Sequence, residues 1–200
     1  MSPFSFNYPP GTTPLDPNEI DGLIPDYITT QGELNALERE NILEAGRWAH
    51  DRQHADILTA TFAFDLHKRM FSRVWKWAGT QRKSDKNIGV SWNQIPTELA
   101  TLLGDVKYWI ENKTYGLDEI GARFHHRLVS THAFVNGNGR HARMMTDILL
   151  DSAAQEAFSW GLKTSNEALE VEGPLREQYI SALKKADQGD YAALLRFVRS

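Results

Sequence analysis

The 200-residue sequence contains no cysteine. Disulfide bonds, a catalytic thiolate and cysteine-ligated zinc are therefore excluded, and the absence fits a reducing compartment. The first lysine or arginine is Arg39, so the basic start of a secretory signal peptide is missing. No apolar run approaches the length needed to span a bilayer. We therefore expect a cytoplasmic protein with no membrane partner.

Positive charge is also scarce. The chain has 22 Lys and Arg against 26 Asp and Glu, which gives a net charge of −4. A general nucleic-acid binder is usually basic, so we do not expect nucleic acid as a partner. The length suits one ordinary domain with an appendage, and a hydrophobic content of 41% is typical of a globular protein. The composition leaves the oligomeric state open, including a homo-oligomer.

Proline is nearly confined to the start of the chain, where six of the eight prolines lie. Each fixes its own φ and disfavours helix in the residue before it, which predicts an extended arm over residues 1–28. The arm also carries many aromatic and aliphatic residues. It is too apolar for a free linker, so we expect it to lie against the domain.

Helical patterns follow the arm. Thr30 and Glu33 have the spacing of a capping box, which predicts a helix within residues 29–55. Apolar residues at helical spacing predict a second helix over 56–77 and further helices from Leu99 onward. The polar, glycine-bounded stretch 78–92 predicts a small β-hairpin. The fold class is all-α, with the main domain over 56–200.

The stretch HAFVNGNGRHAR, residues 132–143, has no acidic residue. Gly137 and Gly139 allow close approach of the backbone, and a helix start after them presents N–H groups to an anion. Arg140 and Arg143 are one turn apart, and two guanidinium groups suit a polyphosphate. His132 is the group suited to proton transfer near neutral pH. The plain alternative is a helix start with solvated charges.

This stretch resembles the signature of the Fic (Fido) family, H-x-F-x-(D/E)-G-N-G-R-x-x-R. The matching positions are His132, Phe134, Gly137, Asn138, Gly139, Arg140 and Arg143. The segment VWKWAGTQR at 74–82 resembles the part that precedes the family's target-docking flap. Together with the Pro-rich start, the motif resembles a subfamily labelled mobile mystery protein B. The resemblance implies a Fic-type helical bundle that transfers AMP from ATP to a Ser, Thr or Tyr hydroxyl of a target protein.

The resemblance also implies roles for the motif residues. His132, Asn138 and Arg140 would be catalytic, with His132 as the base. Nucleotide would bind at Gly137, Asn138, Gly139, Arg140 and Arg143. The flap would dock the target through Lys86, Asn87, Ile88 and Gly89.

Residue 136 departs from the family pattern. Asn136 stands where the family has an Asp or Glu that ligates Mg²⁺. A neutral amide oxygen is a poorer ligand for Mg²⁺ than a carboxylate, so we expect Asn136 to contact the metal weakly. ATP and Mg²⁺ remain the implied substrate and cofactor.

Many members of the family carry an inhibitory helix with the pattern (S/T)-x-x-x-E-(G/N). Thr29 and Glu33 fit its first part, and Glu40 with Asn41 fits its end. We expect Glu33 to be inhibitory and to pair with Arg143. Two alternatives to adenylyl transfer stay open, namely transfer of another phosphate-linked group and a catalytically weak or degenerate fold that binds nucleotide or a partner.

Overall fold

The computed structural model describes residues 13–51, 56–165, 169 and 171–200, and these residues form helices and loops without a β-strand. The helices are α1 (Pro17–Ile20), α2 (Gln31–His50), α3 (Ala60–Phe71), α4 (Ile95–Glu111), α5 (Leu117–Thr131), α6 (Asn138–Ser152), α7 (Pro174–Ala186) and α8 (Ala192–Arg199), with a 3₁₀ turn at Trp92–Gln94. The all-α fold class is confirmed. Across the described part of the chain, no helix has the length and apolar character that crossing a membrane requires.

Helices α5 and α6 form the centre of the molecule and belong to two apolar cores. Phe124 of α5 and Met145 of α6 pack with the inner faces of α2, α3 and α4. Ala122 of α5 and Leu150 of α6 pack with α7 and α8. The motif occupies the loop that joins α5 to α6 and the first turns of α6, so packing on both sides fixes the two helices that carry it.

Helix α2 begins where the sequence predicts. The hydroxyl of Thr30 accepts a hydrogen bond from the Glu33 N–H at 3.2 Å. The Glu33 carboxylate in turn accepts from the Thr30 N–H at 3.0 Å, which completes the capping box.

Helix α3 ends at Phe71, six residues before the predicted end. Beyond it the backbone pairs with the N-terminal arm instead of continuing the helix. The Ile24 N–H donates to the Val74 carbonyl at 2.8 Å, and the Lys76 N–H donates to the Gly22 carbonyl at 2.9 Å. Residues 13–28 of the predicted arm therefore lie against the domain, while residues 1–12 are outside the described part.

The stretch predicted as a hairpin, 78–92, is a loop without a strand ladder in the structure. The buried Arg82 side chain takes the place of a ladder. Its guanidinium donates to the carbonyl of Ser84 at 2.8 Å and to that of Val90 on the opposite side of the loop. A long cationic side chain can satisfy several carbonyls at once, so the loop needs no cross-strand backbone bonds.

Buried neutral histidines make the stability of this fold sensitive to acid. Burial lowers the pKa of His125 to about 3 and those of His132 and His141 to about 4, and it also holds the pKa of His67 well below its ordinary value of 6.5. The unfolded chain takes up these protons near pH 6.5, whereas the folded protein does not. Stability is therefore complete above that pH and is lost as pH falls from about 6.5 towards about 4.

We expect the thermal unfolding midpoint to fall as pH is lowered from about 7.5 to about 5, with each of these histidines adding a slope of about 1.4 kcal/mol per pH unit below 6.5. Asp147 acts in the opposite sense because burial raises its pKa to about 6, but it is one group against four. Calorimetry across this range measures the balance. A midpoint that stays constant or rises on acidification would contradict buried neutral histidines.

Candidate active site

The motif loop is closed by one side chain. The Asn138 side-chain oxygen accepts from the Phe134 N–H at 2.9 Å, and the Asn138 amide nitrogen donates to the Phe134 carbonyl at 2.8 Å. Asn138 is buried, and both of its polar atoms bond the loop itself. The Asn138 side chain therefore positions the loop in this structure, and its catalytic role stays a prediction.

A histidine that the sequence analysis did not identify supports the same loop. The ring of His67 stacks on that of Phe134 with centroids 3.7 Å apart. His67 Nδ1 accepts from the Gly79 N–H at 2.9 Å, so the neutral ring carries its proton on Nε2 and donates it to the Asn136 carbonyl at 3.0 Å. The available signal was the position of His67 one turn before Phe71, on the inner face of α3.

His132 ends α5 in the left-handed conformation, with φ of 51°. This conformation is unfavourable for a residue with a Cβ, and Arg82 helps to hold it by donating from Nε to the His132 carbonyl at 2.6 Å. The pKa of His132 is lowered to about 4, first by burial and then by the charges of Arg82 and Lys86. The imidazole is therefore neutral at physiological pH and has a nitrogen that can accept a proton.

Different features of the structure account for glycine at the two motif positions, 137 and 139. Gly137 has φ of 78°, and a Cβ on it would lie 2.6 Å from the ring of Phe71, so the fold itself requires glycine there. A Cβ on Gly139 would meet no atom closer than 3.9 Å, that of the Tyr179 hydroxyl. Packing within the protein therefore does not explain Gly139, which lies in the first turn of α6, where N–H groups lack helical partners.

The two motif arginines lie on the cleft face of α6. Arg140 donates to the Glu38 carboxylate at 2.6 Å, and the Trp75 indole N–H donates to the other Glu38 oxygen at 2.7 Å. Glu38 lies on α2 and its side chain is 7% exposed, so its charge is held by these two contacts. Arg143 lies one turn further along α6 and also lines the cleft.

The expected pairing of Glu33 with Arg143 is wrong. The Glu33 carboxylate is exposed and accepts from the backbone N–H groups of Thr29 and Thr30 at the start of α2. These bonds also lower the pKa of Glu33, with the Thr29 backbone as the main cause. The glutamate that reaches a motif arginine is Glu38, and it reaches Arg140.

A cleft of about 1360 Å³ connects these groups. It is bordered by the motif loop, α2, α6 and α7, and its apolar side includes Met144 and Ile148 of α6. This volume exceeds that of most small-ligand pockets.

Two of the four predicted flap residues, Ile88 and Gly89, line the same cleft at the His132 end. Lys86 is 4% exposed and bonds two acids of the arm, and Asn87 and Ile88 are exposed. Gly89 has φ of 99°, and a Cβ on it would lie 2.5 Å from that of His132. The loop therefore lies directly over the histidine.

The residues around Asn136 do not form a magnesium site by themselves. The Asn136 side-chain oxygen accepts from the Gly137 N–H at 2.6 Å, so it is already engaged, and it carries no charge. No group of three His, Asp or Glu residues arranged to hold a metal occurs among the described residues. The chain provides one neutral oxygen where Mg²⁺ prefers carboxylates and phosphates.

Comparison with known proteins gives consistent results. Residues 57–150 match the Fic/DOC family. The chain is 26% identical to the protein adenylyltransferase Fic of Drosophila mojavensis and 24% identical to that of Aedes aegypti, over 70% and 72% of its own length. It spans only 27% of the length of either relative.

Solved structures share the fold at low identity. The N-terminal Fic domain of a putative cell filamentation protein from Bartonella quintana superposes with a TM-score of 0.68 and 16% identity, covering 90% of each chain. BepC from Bartonella tribocorum, solved with bound AMPPNP, gives 0.65 and 17%, covering 90% of this chain and 95% of that one. The helical order, the motif loop and these matches agree with one another: residues 57–150 match the Fic/DOC family, and the chain shares the fold of solved Fic domains.

Proposed function

We propose that the chain is a protein adenylyltransferase, which transfers AMP from ATP to a Ser, Thr or Tyr hydroxyl of a protein. The observation that carries the proposal is the placement of a neutral His132 beside the N-terminus of α6, which bears Arg140 and Arg143. A base, an anion-binding helix start and two phosphate-binding side chains are the groups that this reaction needs.

In the proposed reaction, His132 Nε2 takes the proton from the acceptor hydroxyl. The hydroxyl oxygen forms a bond to the α-phosphorus of ATP, and the bond from that phosphorus to the oxygen bridging to the β-phosphate breaks. Pyrophosphate leaves with the electron pair. Charge that develops on the phosphates lies against the backbone N–H groups of Asn138 and Gly139 and against the two arginines, whereas the Gly137 N–H is bonded to the Asn136 side chain.

Gly139 supports this use of the helix start. Glycine in a helical position costs about 1 kcal/mol relative to alanine, and no contact within the described protein requires it here. Close approach of a phosphate to the backbone explains the glycine, since a Cβ would occupy that space. The AMPPNP bound to BepC is in keeping with a nucleotide at this fold's cleft.

Magnesium enters the proposal as part of the substrate, MgATP, and not as an ion resident on the protein. Because the Asn136 oxygen is neutral and engaged, its contact with the ion would be weak. The flap residues 86–89 remain the proposed target-docking segment, since the loop lies over His132.

We further propose that Glu38, rather than Glu33, restrains the activity. With its guanidinium bonded to Glu38, Arg140 has a carboxylate where a phosphate would otherwise bind. Glu38 also places negative charge beside the path of an anionic ligand, which disfavours ATP until the pair opens.

The reaction class can be tested with ATP labelled at the α- or the γ-phosphate. The purified protein carrying Glu38→Gly, mixed with a cell extract, should label proteins from α-labelled ATP only. His132→Ala in the same background should reduce that label at least about 100-fold, because the base is lost. Label from the γ-position would indicate phosphate transfer, and ATP binding without any label would indicate a binding module; either result would exclude adenylyl transfer.

Asn136→Asp tests the metal contact. The added carboxylate should lower the Mg²⁺ concentration that gives half-maximal labelling by about tenfold, since it adds a charged oxygen ligand. Titration of Mg²⁺ against the initial labelling rate measures this. Asn136→Gln, which keeps the amide, should leave the requirement high, and an identical requirement in the Asp variant and the parent would remove the hypothesis.

Glu38→Gly and Glu33→Gly form a matched pair. Glu38→Gly should tighten ATP binding about tenfold or more, because Arg140 becomes available and a buried negative charge is removed. Glu33→Gly removes only the Glu33 side of the capping box, so it should lower stability slightly and leave ATP affinity unchanged. Calorimetric titration with ATP distinguishes the two variants. Tighter ATP binding by Glu33→Gly but not by Glu38→Gly would show that Glu33, and not Glu38, restrains ATP binding.

A further inference from the structure

Thr13 of the chain itself occupies the part of the cleft next to His132, where the acceptor hydroxyl would bind. The Thr13 hydroxyl lies 3.2 Å from His132 Nε2, and both side chains are buried. The Thr13 carbonyl accepts from the Asn136 side chain at 3.4 Å. Thr13 is therefore held at two points. Its hydroxyl contacts His132, and its carbonyl contacts Asn136, the residue that departs from the family pattern.

Contacts further along the arm fix the register that brings Thr13 to this place. Lys86 of the flap bonds Asp16 and Glu19 at 2.7 Å each. The Trp77 indole N–H donates to the Glu19 carbonyl at 3.0 Å. Asp16 follows Thr13 by three residues, so these bonds determine which arm residue reaches His132.

Burial by itself would lower the pKa of Lys86, but the bonds to Asp16 and Glu19 outweigh it and the pKa lies above its ordinary value. Lys86 is thus a persistent cation between the flap and the arm. The flap, whose proposed task is to hold a target chain, holds the arm in this structure.

A proton acceptor needs the hydroxyl of its substrate within hydrogen-bond reach. The Thr13 hydroxyl meets that condition, and the neutral His132 ring has a nitrogen able to accept its proton. We propose that Thr13 is an acceptor in cis, so that the protein transfers AMP from ATP to its own arm. This inference rests on the proposed function and names one substrate of the same site.

The transfer balances without a further reactant. The Thr13 Oγ1 oxygen forms a bond to the α-phosphorus, the bond between that phosphorus and the bridging oxygen breaks, and pyrophosphate leaves with the electron pair. The proton of Thr13 moves to His132 Nε2. One AMP per chain is the limit, because the product carries its AMP on the only hydroxyl that the arm presents to His132 within the described residues.

The experiment uses the full chain with Glu38→Gly, so that Arg140 is released for ATP. After incubation with α-labelled ATP and Mg²⁺, peptide mass spectrometry should place one AMP group on Thr13. Thr13→Val, which keeps the shape and removes the hydroxyl, should reduce self-labelling to background. Thr13→Ser should retain labelling, and Thr12→Ala, which removes the neighbouring hydroxyl, should also retain it.

The cis arrangement has its own readout. The first-order rate constant of self-labelling should be independent of protein concentration, and a tagged His132→Ala chain mixed with the active chain should stay unlabelled. AMP on another residue, or equal labelling of Thr13→Val and the parent, would overturn the inference. If Thr13→Val does not fold, the residue that carries AMP in the parent chain still tests whether Thr13 is the acceptor.

Cell extract added to the same samples separates this inference from the proposed function. Labelled extract proteins beside an unmodified Thr13 would refute the cis acceptor and leave adenylyl transfer intact. Absence of label on both the chain and the extract would refute both.

Discussion

The candidate site depends on the two hydrogen bonds between the Asn138 side chain and the backbone of Phe134. They close a five-residue loop, so that α6 starts beside the end of α5. Because Phe134 is buried against His67, the closed loop is also anchored to α3. The distance between His132 and the N-terminus of α6 is thus set by packing and not by a free loop, as a preorganised site requires.

The site concentrates cationic and hydrogen-bond-donating groups in a chain whose net charge is −4. Arg82, Arg140 and Arg143 lie around it, and neighbouring positive charge together with burial keeps His132 neutral. The same positive field that favours an incoming phosphate therefore also maintains the proton acceptor. One acid near this field, Glu38, is held at 2.6 Å by Arg140.

The sequence predicted the fold class and the motif loop because both rest on local signals. Helical spacing, the Thr30–Glu33 capping box and the motif are all contained within short windows. The hairpin prediction failed because Arg82 satisfies carbonyls on both sides of the loop, a contact between residues eight apart that alternation of apolar residues does not encode. The sequence did not indicate that the Asn138 side chain bonds the Phe134 backbone, since the motif gives the position of Asn138 but not the direction of its side chain.

The pairing of a glutamate with a motif arginine was mispredicted for a different reason. The pattern of the inhibitory helix directed attention to Glu33, while the helical stripe of buried residues in α2 runs through Leu34, Glu38 and Ala45. A charged residue within an inward stripe requires a partner, and this periodicity was readable from the sequence. The partner was not, because Arg140 is 102 residues away in the chain. His67 was missed similarly, since its partners Gly79 and Asn136 come from other elements.

Trp75 links the two elements that occupy the cleft. Its indole N–H bonds Glu38, its backbone pairs with Leu23 of the arm, and its ring stacks on Trp77 with centroids 4.9 Å apart. Trp77 in turn bonds the Glu19 carbonyl of the arm. Glu38, which bonds Arg140, and the arm, which reaches His132, therefore both contact the stacked pair of Trp75 and Trp77. Displacement of the arm by a target would break the backbone pairing of Leu23 with Trp75, the residue whose indole N–H also bonds Glu38.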